Sequence, residues 1–466
     1  MPASPTAALG QLLDLAGIDP ARAAEVAITG SDPVLATGYL MGTAGAAAQG
    51  AVGLAAADLW RERGGEAQEI AIDCRLGAAA LSTTRYLQIS ESSAGMFGNR
   101  LSGFHRTRGG GWIQLHCEFP HFRDGVRQLL GIGSDDDKAA AAIAEWDAAE
   151  LEDTLAARGL PAFMLRDRAA WSAHPQGAAV AALPLLEIIK IGDAPPEPLA
   201  PGARPLSGVR VLDLTRVIAG PMTGRTLAEH SADVLRISSP KLPFLENLVI
   251  ETGPGKRNAE ADLETPEGRA ALQRLIKGAD VFSQSYRPGT LAARGFGPEE
   301  VAKRRPGIVY VSLSAWSHAG PWAERRGYDS LVQCATGIAH EQGSDAGGGG
   351  PKHLPGQALD YLSGYLGAFG AMVALRRRAR EGGSWLVRLS LAQTAQWLKS
   401  LGRAECRSEL ELTPGDLAEH LVRSQTHWGT VTQLGPVLAM SKTPPRWAWP
   451  ARPLGGDAAA WPEPAA

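Results

Sequence analysis

Asp360 is the residue best placed for covalent chemistry. It stands in QALDYLSGYLGAFGAMVALRRR, where the glycine-punctuated apolar run from Tyr361 to Arg380 reads as a helix. A carboxylate at a helix start meets free N–H groups and the positive end of the macrodipole, so it stays ionised beside donors able to hold an oxyanion. That is a nucleophile for acyl transfer; the plain alternative is an N-cap, worth about 1 kcal/mol. The turn Ala219-Gly220-Pro221 sets a helix N-terminus after a strand and forms an anion cradle. The run Gly347–Gly350, with Gly349 and Gly350 nearest Asp360, reads as a lid closing over an intermediate, or as an idle loop. No HxxxH or HExxH spacing and no CxxC pair occurs, so no metal site is expected.

The elements that must position these residues follow a proline-rich stretch, 193–207, which reads as a linker. Beyond it, an apolar strand near Val209–Leu214, a helix near Pro221–His230 and a strand near Val234–Ile237 make a βαβ unit. Thr265 caps and Pro266 opens a further helix that Gly278 stops, ahead of strands at Asp280–Gln284 and Gly307–Trp316. Apolar strands alternating with helices predict an α/β fold with a Rossmann-like, doubly wound parallel sheet over 208–405. A smaller α+β domain is expected over 99–192, with a strand in GGGWIQLHCEF and a long helical stretch at Lys138–Arg158. Residues 1–98 form an N-terminal segment, and 406–466 an irregular Pro/Trp-rich strap on the surface.

Displaced by 317 residues, Ala44–Leu81 aligns with Tyr361–Leu398, pairing Gly50 with Gly367, Gly53 with Gly370, Arg61 with Arg378 and Gly65 with Gly382. Both copies of this internal repeat read as glycine-rich helix, turn, strand and helix. Thr43 stands at the position of Asp360. A threonine caps but cannot form an acyl anhydride, so the first copy is expected to be inert.

The strings VLDLTRVIAGP, ADVFSQSYRPG, PGIVYVSLSAWSHAGPWAERRGYDSLVQ and LDYLSGYLGAFGAMVAL resemble the class III coenzyme A transferases, a family that includes the α-methylacyl-CoA racemases. The resemblance covers 33–81, 99–190 and 208–400, although here the small domain precedes the CoA-binding domain. It implies a CoA-transferase acting on an acyl-CoA and a free carboxylic acid, with CoA as substrate and covalent intermediate and no tightly bound cofactor. Asp360 matches the family aspartate that becomes an aspartyl-CoA thioester, and Tyr328 and Asp329 match positions lining the site. Arg236, Lys256, Arg257 and the Tyr286-Arg287 pair match or neighbour positions that contact CoA. Family members form interlocked homodimers, so this chain is expected either to pair or to carry the swapped element itself. Two alternatives remain: a racemase, which tyrosine at 328 disfavours because its pKa near 10 makes a poor base, and a degenerate CoA-binding protein.

The 466-residue chain has a formal net charge of −3, which gives no general attraction to nucleic acid or anionic lipid. Without a leader-like start or a long apolar span, and with four scattered cysteines, a cytoplasmic protein with no membrane contact is expected.

Overall fold

The computed structural model describes residues 2–94 and 99–462. Its largest sheet has seven strands: β1 (Leu186–Gly192), β2 (Arg210–Leu214), β3 (Asp233–Ser238), β4 (Lys256–Glu260), β5 (Val281–Gln284), β6 (Val309–Ser314) and β7 (Ser384–Ser390). Their order is β4-β3-β2-β5-β6-β7-β1, all parallel except β1, which runs antiparallel to β7. The large sheet therefore draws one edge strand from before the proline-rich linker. Val211, Leu212, Val281, Phe282, Val309 and Val311 are fully buried, as strands covered on both faces require. The chain leaves β2 toward one edge and returns to β5 beside it, which opens a crevice at the carboxyl ends of β2 and β5.

The helix start and stop signals act as expected. Thr265 Oγ1 accepts from Gly268 N, Pro266 opens the helix Pro266–Lys277, and its Leu272, Leu275 and Ile276 face the sheet core. Ahead of the linker, strands Gly103–Arg106, Trp112–Leu115 and Ala162–Met164 form a small antiparallel sheet. The helical stretch expected at 138–158 divides into Ala139–Ala144 and Ala148–Ala157. Asp147 causes the break, because its carboxylate takes the N–H groups of Ala149 and Glu150 and starts a new helix.

The aligned segments adopt the same order: helix Met41–Glu62, strand Ile70–Asp73 and helix Cys74–Ala79 against helix Ala358–Glu381, β7 and helix Leu391–Ser400. The two long glycine-containing helices lie against each other, joined by Arg376 bridging to Asp58 and Glu62, while Tyr365 Oη donates to Ala80 O at the end of the short helix Cys74–Ala79. A side chain at Gly364 would collide with Met222 Cβ and Ala219 O, so glycine sets how closely Ala358–Glu381 meets the helix Ala219–Glu229. Ala358–Glu381 is long and apolar enough to cross a membrane, with a window of mean hydropathy 1.3, but that whole window is buried inside the protein.

The tail is less irregular than its proline and tryptophan content suggests. Leu421–Thr426 and Gly429–Leu434 pair as a hairpin, and Ala439–Met440 adds to the strand Ile70–Asp73. The β-branched residues at 422, 426, 430, 431 and 432 carry that hairpin. Beyond it the chain is a strap, with Trp449 Nε1 donating to Lys256 O and Trp461 Nε1 to Leu275 O.

Candidate active site

Asp360 lies in the first turn of Ala358–Glu381 and is 7% exposed. It does not cap that helix. Asp329, which opens the helix Asp329–Ala335, turns one carboxylate oxygen onto Leu359 N at 2.8 Å and Asp360 N at 2.9 Å, while Gln333 Nε2 donates to the other. The helix start is thus satisfied from outside, and the Asp360 carboxyl is left for other partners. Burial pushes Asp360 well above the ordinary carboxylic range, and the nearby charge of Asp329 adds to the push. Burial also raises Asp329, to about 6, against the hydrogen bonds it accepts. Two neighbouring buried carboxyls resist simultaneous ionisation, and the carboxylate that forms at Asp360 is correspondingly basic.

Asp360 stands where two cavities meet. An outer cleft of about 450 Å³ is lined by residues that follow the carboxyl ends of β2, β3, β4, β5 and β6. An inner pocket of about 260 Å³ is walled by the small sheet, through Gly103, Gln114 and His116, and by the segment before Asp360. Val217, Ile218, Tyr328 and Asp360 line both. Val217 has φ +69°, a conformation that a β-branched residue rarely adopts, in the turn that carries β2 into the helix Ala219–Glu229.

The outer cleft is rich in cations. Lys241 and Arg294 are neutralised by Asp262 at 2.6 Å and Glu264 at 2.7 Å. Among the described residues no carboxylate pairs with Arg216, Arg287 or Arg326, which also line the cleft. Three such guanidiniums beside a helix N-terminus suit phosphate or carboxylate groups.

Of the residues singled out in the sequence, Ala219, Gly220, Tyr286, Arg287, Tyr328, Asp329 and Asp360 line one or both cavities. Burial pushes the Tyr328 hydroxyl up to about 12. Pro221 sits one residue deeper, and its carbonyl accepts from Lys256 Nζ at 2.6 Å. Arg236 is buried in β3 beside a side cavity shared with Arg216 and Val217, its Nε and one Nη unpartnered among the described residues.

Lys256 and Arg257 do not reach the cleft. They are the first two residues of β4, so the direction of the strand places them at the end remote from the crevice. Lys256 is fully buried against Asp213 at 2.8 Å, and burial lowers its ammonium to about 8. Arg257 pairs with Asp233 at 2.6 Å. Gly349 and Gly350 line neither cavity, since their run packs beside Trp112 and Gly343. Sequence reasoning passed over Arg216 and Val217, although both stand in the quoted string VLDLTRVIAGP, and it passed over Arg326, Gln114, His116 and His353 as well.

The aligned helix Met41–Glu62 starts in the same way with different chemistry. Asp32 turns its two oxygens onto Gly42 N at 2.9 Å and Thr43 N at 2.7 Å. Thr43 therefore is not the cap expected of it, because Asp32 fills that role as Asp329 does for the helix Ala358–Glu381. Neither cavity reaches Thr43.

Residues 206–405 match the model of CoA-transferase family III. An acetyl-coenzyme A transferase, nodX, of Hypoxylon pulicicidum is 38% identical over 215 residues, 45% of this chain and 36% of that protein. An acyl-CoA transferase of Gibberella moniliformis is 33% identical over 310 residues, 61% of this chain and 54% of that protein. The chain spans about half or less of the length of these relatives. Among solved structures, the hypothetical protein Rv3272 of Mycobacterium tuberculosis shares 32% identity and a TM-score of 0.39 over 43% of this chain and 58% of that chain.

Proposed function

We propose that this protein moves CoA between an acyl-CoA and a free carboxylic acid, with Asp360 as covalent carrier. The observation that carries this reading is the place of Asp360: a carboxyl released from helix capping by Asp329, between a cation-lined cleft and an enclosed pocket. The match of 206–405 to CoA-transferase family III supports the same chemistry. The cleft takes the phosphates of CoA through Arg216, Arg287 and Arg326, and the inner pocket takes the acyl chain.

The Asp360 carboxylate attacks the thioester carbonyl, the C–S bond breaks, and CoA leaves as thiolate. A mixed anhydride remains. The thiolate then attacks the aspartyl carbonyl of that anhydride, releasing the first carboxylate and leaving an aspartyl-CoA thioester. An incoming carboxylate attacks this thioester, and the freed thiolate takes the new acyl group, restoring Asp360. The inner pocket is walled by residues 102–118 of the same chain, so one chain supplies both the carrier and its acyl pocket. A racemase would use Asp329 or Asp360 as base, and a tyrosine at 328 raised to about 12 argues against it because it is a poor second proton carrier.

Incubation with acyl-CoA followed by hydroxylamine or borohydride trapping and peptide mass spectrometry tests the carrier. A modified Asp360 is expected, and turnover without any adduct there overturns the reading.

A further inference from the structure

The inner pocket differs from the cleft in one chemical respect. Among the described residues no lysine or arginine lines it, and its charged members, Glu118, Asp329 and Asp360, are all acidic. A second carboxylate on an acyl chain would be buried there without a counter-ion and beside groups of its own sign.

The pocket is nonetheless not an apolar slot. Gln114 is 3% exposed, and its Oε1 has no hydrogen-bond partner among the described residues, while its Nε2 donates to Leu115 O. Nε2 of His116, 8% exposed, and Nε2 of His353 are likewise buried without partners. Both imidazoles are held by stacking, His116 on Tyr328 with centroids 3.7 Å apart and His353 on Phe104 at 4.6 Å. Buried polar atoms are ordinarily satisfied, and all three orphans belong to side chains that line this cavity. The Gln114 oxygen only accepts, so a donor is what would satisfy it. A neutral imidazole nitrogen gives or takes one hydrogen bond according to tautomer. Burial pushes His116 down to about 3 and His353 to about 4, so neither supplies a positive charge at neutral pH. The remaining wall, Val217, Ile218, Leu245 and Leu354, is apolar.

We infer that the inner pocket selects an uncharged acyl group bearing a hydroxyl, held by Gln114, His116 and His353, over plain alkyl and dicarboxylic acyl groups. This rests on the CoA-transferase reading for the orientation of acyl-CoA between the two cavities.

Three donors with four-carbon acyl groups separate the cases: 3-hydroxybutyryl-CoA, butyryl-CoA and succinyl-CoA. Transfer to acetate gives kcat/KM for each, and calorimetric titration of the Asp360→Asn variant gives their affinities without turnover. The hydroxylated donor is expected to exceed butyryl-CoA by at least about tenfold in both measurements, with succinyl-CoA weakest, because a site built to bond a hydroxyl rejects the analogue lacking it. Gln114→Leu and His353→Phe should each bring the hydroxy-to-plain ratio below about three in a folded protein. Should either variant fail to fold, the wild-type ratios still decide. Butyryl-CoA or succinyl-CoA equalling the hydroxylated donor overturns the pocket assignment and leaves CoA transfer standing. Preferential binding of the hydroxylated donor with no turnover of any donor supports the pocket assignment and sinks CoA transfer. No preference in either measurement overturns the assignment.

Discussion

The carboxylate of Asp329 accepts the backbone N–H of Asp360 at 2.9 Å, so one acid holds the helix start while the next is turned toward two cavities. Their roles are separated by geometry, and their titrations are joined by proximity. The pH dependence of the protein follows from that pair.

Asp360→Asn should abolish transfer while leaving the fold intact, because an amide is a very poor acyl-accepting nucleophile of nearly the same volume. Both carboxyls titrate above the unfolded value of about 3.9, so folding favours their protonated forms. That contribution is complete below the unfolded pKa and is lost as pH rises through the folded values, about 6 for Asp329 and higher for Asp360. Removing one acid relieves the conflict, so Tm of Asp360→Asn should equal wild type near pH 5 and exceed it increasingly toward pH 8, roughly. Activity should move the other way, with kcat/KM rising with pH as Asp360 ionises. A Tm difference that shrinks with pH contradicts the coupling.

Asp32 and Thr43 provide the matching control. Thr43→Ala should cost about 1 kcal/mol, through the buried methyl and the hydrogen bond of its hydroxyl to Asp32 rather than through lost capping. Asp32→Ala should cost about 1–3 kcal/mol by stranding the N–H groups of Gly42 and Thr43. Denaturant melts measure both, and transfer should survive each change in folded protein. Loss of turnover in folded Thr43→Ala would place chemistry at the start of the helix Met41–Glu62.

What the sequence discloses and what it withholds divide along local and non-local lines. Thr265, Pro266 and Gly278 announce a helix because capping and φ restriction act within a few residues. Asp360 stands out because a carboxylate beside a long glycine-containing helix is visible in one string. Lys256 misleads because a basic residue near a strand says nothing of which end of the strand it occupies. The inner pocket is illegible for another reason: Gln114 and His116 meet Asp360 across more than two hundred residues, through the packing of a small sheet.

That difference makes Lys256 and Arg287 an informative pair. Lys256→Ala should destabilise by about 3–5 kcal/mol, since Asp213 would be left buried and unpaired. Arg287 is exposed at the cleft with no carboxylate partner among the described residues, so Arg287→Ala should leave Tm unchanged. It should raise KM for acyl-CoA about 5- to 30-fold, the loss of one charged hydrogen-bonding contact, with kcat little altered. Melting curves and steady-state kinetics on the same preparations separate the two. An Arg287→Ala enzyme with unchanged KM would remove that residue from the phosphate site.

The last expectation concerns a fragment, 208–466, which keeps Asp360 and the family-matched region 206–405 except its first two residues. Cutting there removes β1 and leaves β7 as an open sheet edge, a template for association between chains. It also strips the helix Met41–Glu62 from Ala358–Glu381, exposing apolar surface that the intact chain buries. The wall formed by Ser102, Gly103, Gln114, His116 and Glu118 disappears from the inner pocket, so Asp360 would face solvent where the acyl chain should sit. The fragment should therefore be insoluble or, if held in solution, turn over at less than about a hundredth of the wild-type rate, since misplaced or unheld substrate costs about that factor. Sedimentation analysis and a transfer assay measure both. A soluble, fully active fragment would show that residues 1–207 contribute nothing to the site.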